Sequence, residues 1–198
     1  PWVTDFLRRI AADQLLIANA GSKVGVGGAN ASICAIEYNE SGYHLEKHAL
    51  AISYGEYADV IVATARRAAD SEAFDEVTVI CIKPDVTLEA TGTWDTLGLR
   101  GTCSNSFRLV ANGPVEQVLP SYNVVVSRVG QPIAHILRGS VWLGLAEVAA
   151  SKAHKTVLKQ ARKTIGTLPP AATRLAELTI PLQQMRDTLA EAIREFDD

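Results

Sequence analysis

The chain has few cysteines, few histidines and little excess charge of either sign. Its three cysteines, Cys34, Cys81 and Cys103, are widely spaced and odd in number. That is neither a disulfide framework nor a zinc-binding pattern, and it suits a reducing cytoplasm. The four histidines are scattered, so we expect no metal site. A formal net charge of −3 gives the surface no general attraction for nucleic acid or for an anionic membrane.

Long apolar runs and targeting signals are also lacking. No apolar run approaches the roughly 20 residues of a membrane span, and we expect no signal peptide. Apolar residues make up 47% and charged residues 21% of the 198 residues, the usual balance for a packed soluble protein. We therefore expect a cytoplasmic protein with one large domain or two small ones.

The apolar pattern divides the first two thirds of the chain into a helix and a set of strands. Residues 1–14 are predicted as a short helix, because Phe6, Leu7 and Ile10 share one face. Residues 15–126 change to short apolar runs separated by turns, which predicts an antiparallel β-barrel or sandwich. The predicted strands cover residues 33–38, 43–50, 60–65, 76–82, 87–91, 106–111 and 115–119, with a hairpin turn at 39–42.

Residues 127–198 change to helical spacing. Two helices are predicted at 130–163 and 171–196, with a possible kink at Pro181. Two helices form an antiparallel hairpin, not a complete four-helix bundle, so their apolar faces need a further surface. The predicted fold class is therefore α+β: a β-barrel or sandwich followed by a long helical hairpin. We expect a homo- or hetero-oligomer, or additional sequence, to cover these faces.

Two segments carry residues suited to a bound ligand. The glycine-rich run from Ser22 to Asn30 lets backbone N–H groups approach an anion such as a pyrophosphate. It is neither a Walker loop nor a Rossmann fingerprint, and a plain turn is the alternative. The segment from Ala51 to Asp59 interrupts two strands, and Ser53 could hydrogen-bond a ring system there or simply belong to a turn.

A third segment, from Trp94 to Ser104, combines two glycines, an arginine and two hydroxyl residues. Arg100 could hold a phosphate or carboxylate, or it could brace the loop. Thr102 and Ser104 could contact a ligand or lie at the start of a strand. Taken alone, the structural interpretation is favoured for each of these residues.

Together the three segments resemble the acyl-CoA dehydrogenase family. Residues 22–29 resemble the family's Thr-Glu-Pro-Gly-x-Gly-Ser-Asp turn, which also follows a helix. Residues 51–59 resemble its Trp-Ile-Thr-Asn-Gly-x-x-Ala-Asp, and residues 97–104 resemble its Leu-Gly-Met-Arg-Gly-Thr-x-Ser. The resemblance implies a divergent middle β-barrel domain plus the first helices of the C-terminal domain. The start at Pro1 and the missing N-terminal helical domain favour a truncated chain.

The resemblance implies an FAD site. It places the flavin-ring threonine on Ser22, the pyrophosphate-loop pair on Gly27 and Gly28, and the hydroxyl near flavin N5 on Ser53. Ala51 stands where the family has a tryptophan that shields the flavin. The implied cofactor-binding residues are Gly21, Ser22, Gly27, Gly28, Ala51, Ile52 and Ser53.

The implied activity is α,β-dehydrogenation of an acyl-CoA, or another small-molecule substrate, by proton abstraction and hydride transfer to flavin N5. No catalytic residue is assigned, because Ala134 and its neighbour His135 stand where some members carry the glutamate base. Arg162 is an approximate counterpart of an arginine that reaches a neighbouring subunit's FAD. We expect this chain alone to be inactive. A flavin-dependent monooxygenase of the same fold and a non-catalytic assembly subunit are the alternatives.

Overall fold

The computed structural model describes residues 2–21, 33–119, 126–163 and 166–197. Contacts divide the chain into two compact units, residues 1–125 and 126–198. The first unit carries the sheets and the second carries the two long helices. Each unit has its own packing and is described by itself.

In its described residues, the first unit is a sandwich of two four-stranded sheets with one α-helix. Helix α1 covers Trp2–Asp13. The strands are β1 (Ile17–Ala20), β2 (Ile36–Asn39), β3 (Gly42–Ala49), β4 (Val60–Arg66), β5 (Glu76–Ile82), β6 (Val86–Gly92), β7 (Ser106–Gly113) and β8 (Val118–Leu119). One sheet has the order β1-β4-β5-β8 and the other β2-β3-β7-β6. The predicted α+β class with a β-sandwich is confirmed.

The first sheet is apolar on both faces. Successive residues of a strand point to opposite faces, so Ile61 and Ala63 of β4 lie in the main core, together with residues of the second sheet. Val60 of β4 and Ile80 of β5 instead pack with Phe6 of α1. The helix thus covers the outer face of this sheet, which explains why β4 and β5 are nearly continuous apolar runs.

Three strand predictions need correction. The sequence did not single out β1, which pairs in parallel with β4, whereas the other five strand pairings of the described part are antiparallel. The strand predicted at 33–38 begins at Ile36, the first residue that pairs with β3, and Ile33 is 61% exposed. Residues 115–117 form a 3-10 turn, and only Val118–Leu119 pair with β5. The turn buries Gln117, whose Oε1 accepts the Tyr43 hydroxyl at 3.2 Å.

The second unit is a helical hairpin. A π-helical turn at Val126–Gly130 leads into α2 (Gln131–Ala161), and α3 covers Ala171–Asp197. Pro181 lies inside α3 without ending it. Arg186 Nη2 donates to Glu147 Oε1 at 2.6 Å and links the two helices. The predicted long antiparallel hairpin is confirmed, with ends within two residues of the expected ones.

Helix α2 is more apolar than the sequence analysis expected. The helical segment Arg128–Ala161 is long and apolar enough to cross a membrane by length and composition, because an 18-residue window within it has a mean hydropathy of 1.2. Core helices of soluble proteins meet the same two criteria, so one such helix is weak support for a span. What the structure shows directly is that Leu137, Trp142 and Leu145 are largely exposed on this helix.

Because the thiol of Cys81 is buried, we expect the protein to lose stability at alkaline pH. Burial raises the pKa of this thiol from 9.0 to about 12, and burial also raises the pKa of Tyr43. Because the pKa of this thiol is higher in the folded than in the unfolded state, the protonated thiol contributes to the free energy of unfolding. That contribution is complete below pH 9 and is lost between about pH 9 and 12. In urea unfolding from pH 8 to 11, Cys81→Ala should therefore lose less stability than the wild type. Cys103→Ala, the control, should follow the wild type; an unchanged slope for Cys81→Ala would contradict the prediction.

Candidate functional site

The structure brings the segment after β3 against the segment before β7. Ile52 N donates to Asn105 O at 3.0 Å, and Tyr54 N donates to Thr102 O at 2.9 Å. Ile52 is completely buried, whereas Ser53 is exposed. The main chain therefore holds the predicted flavin-ring segment in place and presents Ser53 at the surface.

Gly55 allows this segment to pack tightly onto the core. A Cβ at this position would lie 3.0 Å from Ile52 Cγ2 and 3.2 Å from Phe107 Cε2. Phe107 belongs to β7 and is buried in the main core. The turn that carries Ser53 thus rests directly on the core through Ile52 and Gly55.

Three hydroxyl groups connect the two segments. Ser53 Oγ lies 2.8 Å from Ser104 Oγ, and Ser104 Oγ lies 2.7 Å from Thr102 Oγ1. Thr102 Oγ1 donates to the carbonyl oxygen of Leu99 at 2.8 Å. Ser104 is buried, so the chain of hydroxyls runs from a protected position to the exposed Ser53. Sequence reasoning named all three hydroxyl residues but did not connect them.

Asn105 is the residue that sequence reasoning missed. Its Oδ1 accepts the Trp94 backbone N–H at 2.9 Å, and its Nδ2 donates to Glu56 Oε1 at 3.2 Å. With its carbonyl accepting from Ile52 N, Asn105 ties three stretches of chain together. An amide at this position was the available signal, because its side chain offers both a donor and an acceptor.

The loop from Trp94 to Ser104 is braced internally. Arg100 Nη1 donates to Asp95 Oδ1 at 2.6 Å and to the Thr96 carbonyl at 2.8 Å. Trp94 Nε1 donates to the Leu99 carbonyl at 2.9 Å. Both of these Arg100 hydrogen bonds are made within its own loop, as the structural interpretation of this residue expects.

The glycine-rich run from Ser22 to Asn30 lies outside the described residues, and only Gly21, which precedes it, is described. Gly21 follows β1, and its N–H donates to Asn19 Oδ1 at 2.7 Å. Ser22, Gly27 and Gly28 lie outside the described residues. Their assignment to a flavin ring and a pyrophosphate stays a prediction, as do the assignments of Ala51, Ile52 and Ser53 as cofactor contacts.

His135 lies in the second unit, on α2. It is exposed and lines a groove of about 670 Å³ between α2 and α3, together with Met185, Leu189 and Phe196. Ala134 precedes it, and Arg162 stands directly after the last residue of α2. The groove is mostly apolar, although Arg128 and Glu195 also line it, and we assign His135 no catalytic role.

Comparison with known proteins gives a fold. Neither a protein-family profile nor a curated protein sequence matches the chain. Among solved structures, butyryl-CoA dehydrogenase from Megasphaera elsdenii matches 98% of the chain with a TM-score of 0.72 and 19% identity. An acyl-CoA dehydrogenase from Geobacillus kaustophilus matches 96% of it at 0.74 and 17%. PigA with FAD and proline matches 98% at 0.75 and 17%.

The chain spans about half the length of these structures, 52% in each case. Identities below 20% establish the architecture but not the activity. The sandwich and the helical hairpin each correspond to a part of these dehydrogenase structures. The chain therefore has the fold of the middle domain and the first C-terminal helices of acyl-CoA dehydrogenases and related FAD-dependent dehydrogenases.

Proposed function

We propose that this chain is the flavin-binding part of an FAD-dependent oxidoreductase that dehydrogenates an acyl-CoA thioester between its α and β carbons. One observation carries the proposal: the segment predicted to face the flavin ring, residues 51–53, is held by main-chain hydrogen bonds against residues 102–105 on the acyl-CoA dehydrogenase fold. Without that contact, the two segments that resemble the family would be two separate turns with no shared site.

The described residues fit one edge of a flavin ring. A planar heteroaromatic ring needs an apolar support and a few precisely placed polar groups. Ile52 is fixed in the core, and Ser53 Oγ stands at the surface beside it. Ala51 places a small side chain where the family has a large aromatic one, which leaves more room at the ring position.

The residues of the chain would bind and orient the cofactor. FAD, when bound, supplies a two-electron hydride acceptor. Ser53 would hydrogen-bond the ring edge, and Ile52 would fix the backbone that carries Ser53. Gly27 and Gly28 would offer backbone N–H groups to the pyrophosphate. Proton abstraction is assigned to no residue, so the complete reaction is proposed for a full-length protein or an oligomer.

A matched pair of isoleucine variants tests the flavin site. Ile52 and Ile36 are both buried in the main core, so Ile52→Ala and Ile36→Ala should each lose about 2–5 kcal/mol of stability. Only Ile52→Ala should also weaken FAD binding, by about tenfold or more, because Ile52 and not Ile36 belongs to the segment predicted to face the flavin ring. FAD titration followed by visible absorbance, at a temperature where both variants are folded, measures the difference.

Two outcomes would contradict the proposal. Equal FAD affinities for the two variants would remove residues 51–53 from the site. A wild-type chain that binds no FAD would favour the non-catalytic assembly subunit. In a full-length protein or an oligomer, bleaching of the bound flavin by an acyl-CoA under anaerobic conditions would support the dehydrogenase over the monooxygenase.

We also propose that the chain works as a homo- or hetero-oligomer in the cytoplasm. Support for the oligomer comes from the large apolar side chains exposed on the helical hairpin, namely Leu137, Val141, Trp142, Leu145, Val148, Leu178 and Ile180. Exposed apolar patches of this kind usually mark contact surfaces. A stable monomer in size-exclusion chromatography would count against this part of the proposal.

A further inference from the structure

The hydroxyl chain between the two segments has a fixed direction. Two oxygens 2.7–2.8 Å apart repel each other unless a proton lies between them. The chain contains three such contacts, from Ser53 to Ser104, from Ser104 to Thr102, and from Thr102 to a carbonyl. Each hydroxyl carries a single proton, so three protons must serve three contacts.

The Leu99 carbonyl oxygen, at one end of the hydroxyl chain, determines the direction of all three hydrogen bonds. Leu99 O has no proton, so the proton in that contact belongs to Thr102. Thr102 then has none left for Ser104, and the proton between them belongs to Ser104. By the same count, the proton between Ser104 and Ser53 belongs to Ser53. Ser53 Oγ therefore turns only lone pairs toward the surface.

We propose that Thr102 and Ser104 fix Ser53 as a hydrogen-bond acceptor, so that the site binds the reduced isoalloxazine ring in preference to the oxidised ring. The flavin part of this inference rests on the proposed function; the direction of the protons does not. Two-electron reduction places a proton on ring nitrogen N5, which turns an acceptor into an N–H donor. An acceptor at Ser53 matches the reduced form and opposes the lone pair of the oxidised form.

Thr102 and Ser104 are positioning residues in this arrangement. Neither needs to touch the ring, because both act through the Ser53 hydroxyl. Ser104 is 4% exposed and Ser53 is exposed. The direction of the hydroxyl protons is therefore determined at the end of the chain that is protected from solvent. This distinguishes Ser53 from an isolated surface serine, whose hydroxyl rotates to serve either a donor or an acceptor.

The full chain, titrated anaerobically with FAD and with dithionite-reduced FAD, tests the preference. Ser53→Ala removes the acceptor and should weaken binding of reduced FAD by about threefold to tenfold, the range for one hydrogen bond. Thr102→Val frees the Ser104 proton, so Ser53 can donate outward. That variant should strengthen binding of oxidised FAD by a similar factor and leave reduced FAD unchanged. A tenfold change in the affinity ratio corresponds to about 30 mV in the two-electron midpoint potential.

Thr96→Val is the matched control. The Thr96 hydroxyl donates to the Gly98 carbonyl at 2.6 Å in the same loop but belongs to no chain that reaches Ser53. It should leave both affinities and the midpoint potential unchanged. A merely structural role for Thr102 would lower both affinities together, which is the opposite of the predicted pattern for Thr102→Val and would overturn the inference.

Neutron diffraction from deuterated crystals of the unliganded chain tests the direction without flavin. The expected result is deuterium on Thr102 pointing to Leu99 O, on Ser104 pointing to Thr102, and on Ser53 pointing to Ser104. Deuterium on Ser53 pointing to solvent would overturn the inference. If the nuclear positions are as expected but neither form of FAD binds, the proposed function fails and the acceptor character of Ser53 stands.

Discussion

Gly42→Ala should be among the most damaging single substitutions in the first unit. Gly42 opens β3 with a φ of +140°, a conformation that L side chains rarely adopt, and a Cβ there would collide with Gly113 O and lie 3.0 Å from Pro114 Cα. Backbone strain of about 1–3 kcal/mol adds to overpacking of about 1–3 kcal/mol. We expect a loss of about 2–6 kcal/mol in the free energy of unfolding. Urea unfolding followed by circular dichroism measures it.

Gly98→Ala provides the control for this prediction. A Cβ at Gly98 meets nothing within 4 Å, so its effect should stay within about 0.5 kcal/mol. Peptide-level hydrogen exchange should place the loss in Gly42→Ala at β3 and β7, which pair next to this turn. Equal stabilities for the two alanine variants would show that the turn tolerates a side chain.

Phe107→Ala should lose about 3–5 kcal/mol, the usual cost of truncating a buried aromatic residue. Phe107 is 1% exposed in the main core, and its ring lies beside the position where a Gly55 Cβ would stand. The cavity would therefore open directly below the turn that carries Ile52 and Ser53. We expect faster hydrogen exchange in residues 51–59, in addition to the global loss of stability.

Phe74→Ala separates the effect of burial from that of the aromatic ring. Phe74 is 63% exposed, so its truncation should cost about 0.5 kcal/mol or less. Urea unfolding of both variants gives the comparison. A loss below about 1 kcal/mol in Phe107→Ala would mean that the core collapses around the deleted ring, and the turn would then not depend on it.

Local chemistry explains the parts of the fold that the sequence could predict. Asn39 Oδ1 accepts from both the backbone N–H and the hydroxyl of Ser41, at 2.9 and 2.7 Å, so the β2–β3 hairpin is specified within four residues. The two-sided burial of β4 and β5 requires continuous apolar runs, which are visible without any structure. Helices α2 and α3 follow from their apolar spacing.

Long-range pairing explains what the sequence could not predict. Strand β1 has four residues and pairs in parallel with β4, 43 positions later; neither strand alone contains a signal for that partner. Ser53 and Ser104 are 51 positions apart, and their contact depends on where two loops leave the second sheet. The resemblance to a known family identified both loops, but the direction of their hydroxyl chain required the distances.

Part of the contact between the two loops is made by backbone groups alone, and this has a consequence for sequence divergence. Ile52 N and Tyr54 N bind carbonyl oxygens of Asn105 and Thr102, atoms that every residue type supplies. Side chains in these loops can therefore be exchanged without removing these two hydrogen bonds. The sequences of such loops could diverge widely while their backbone geometry is inherited intact.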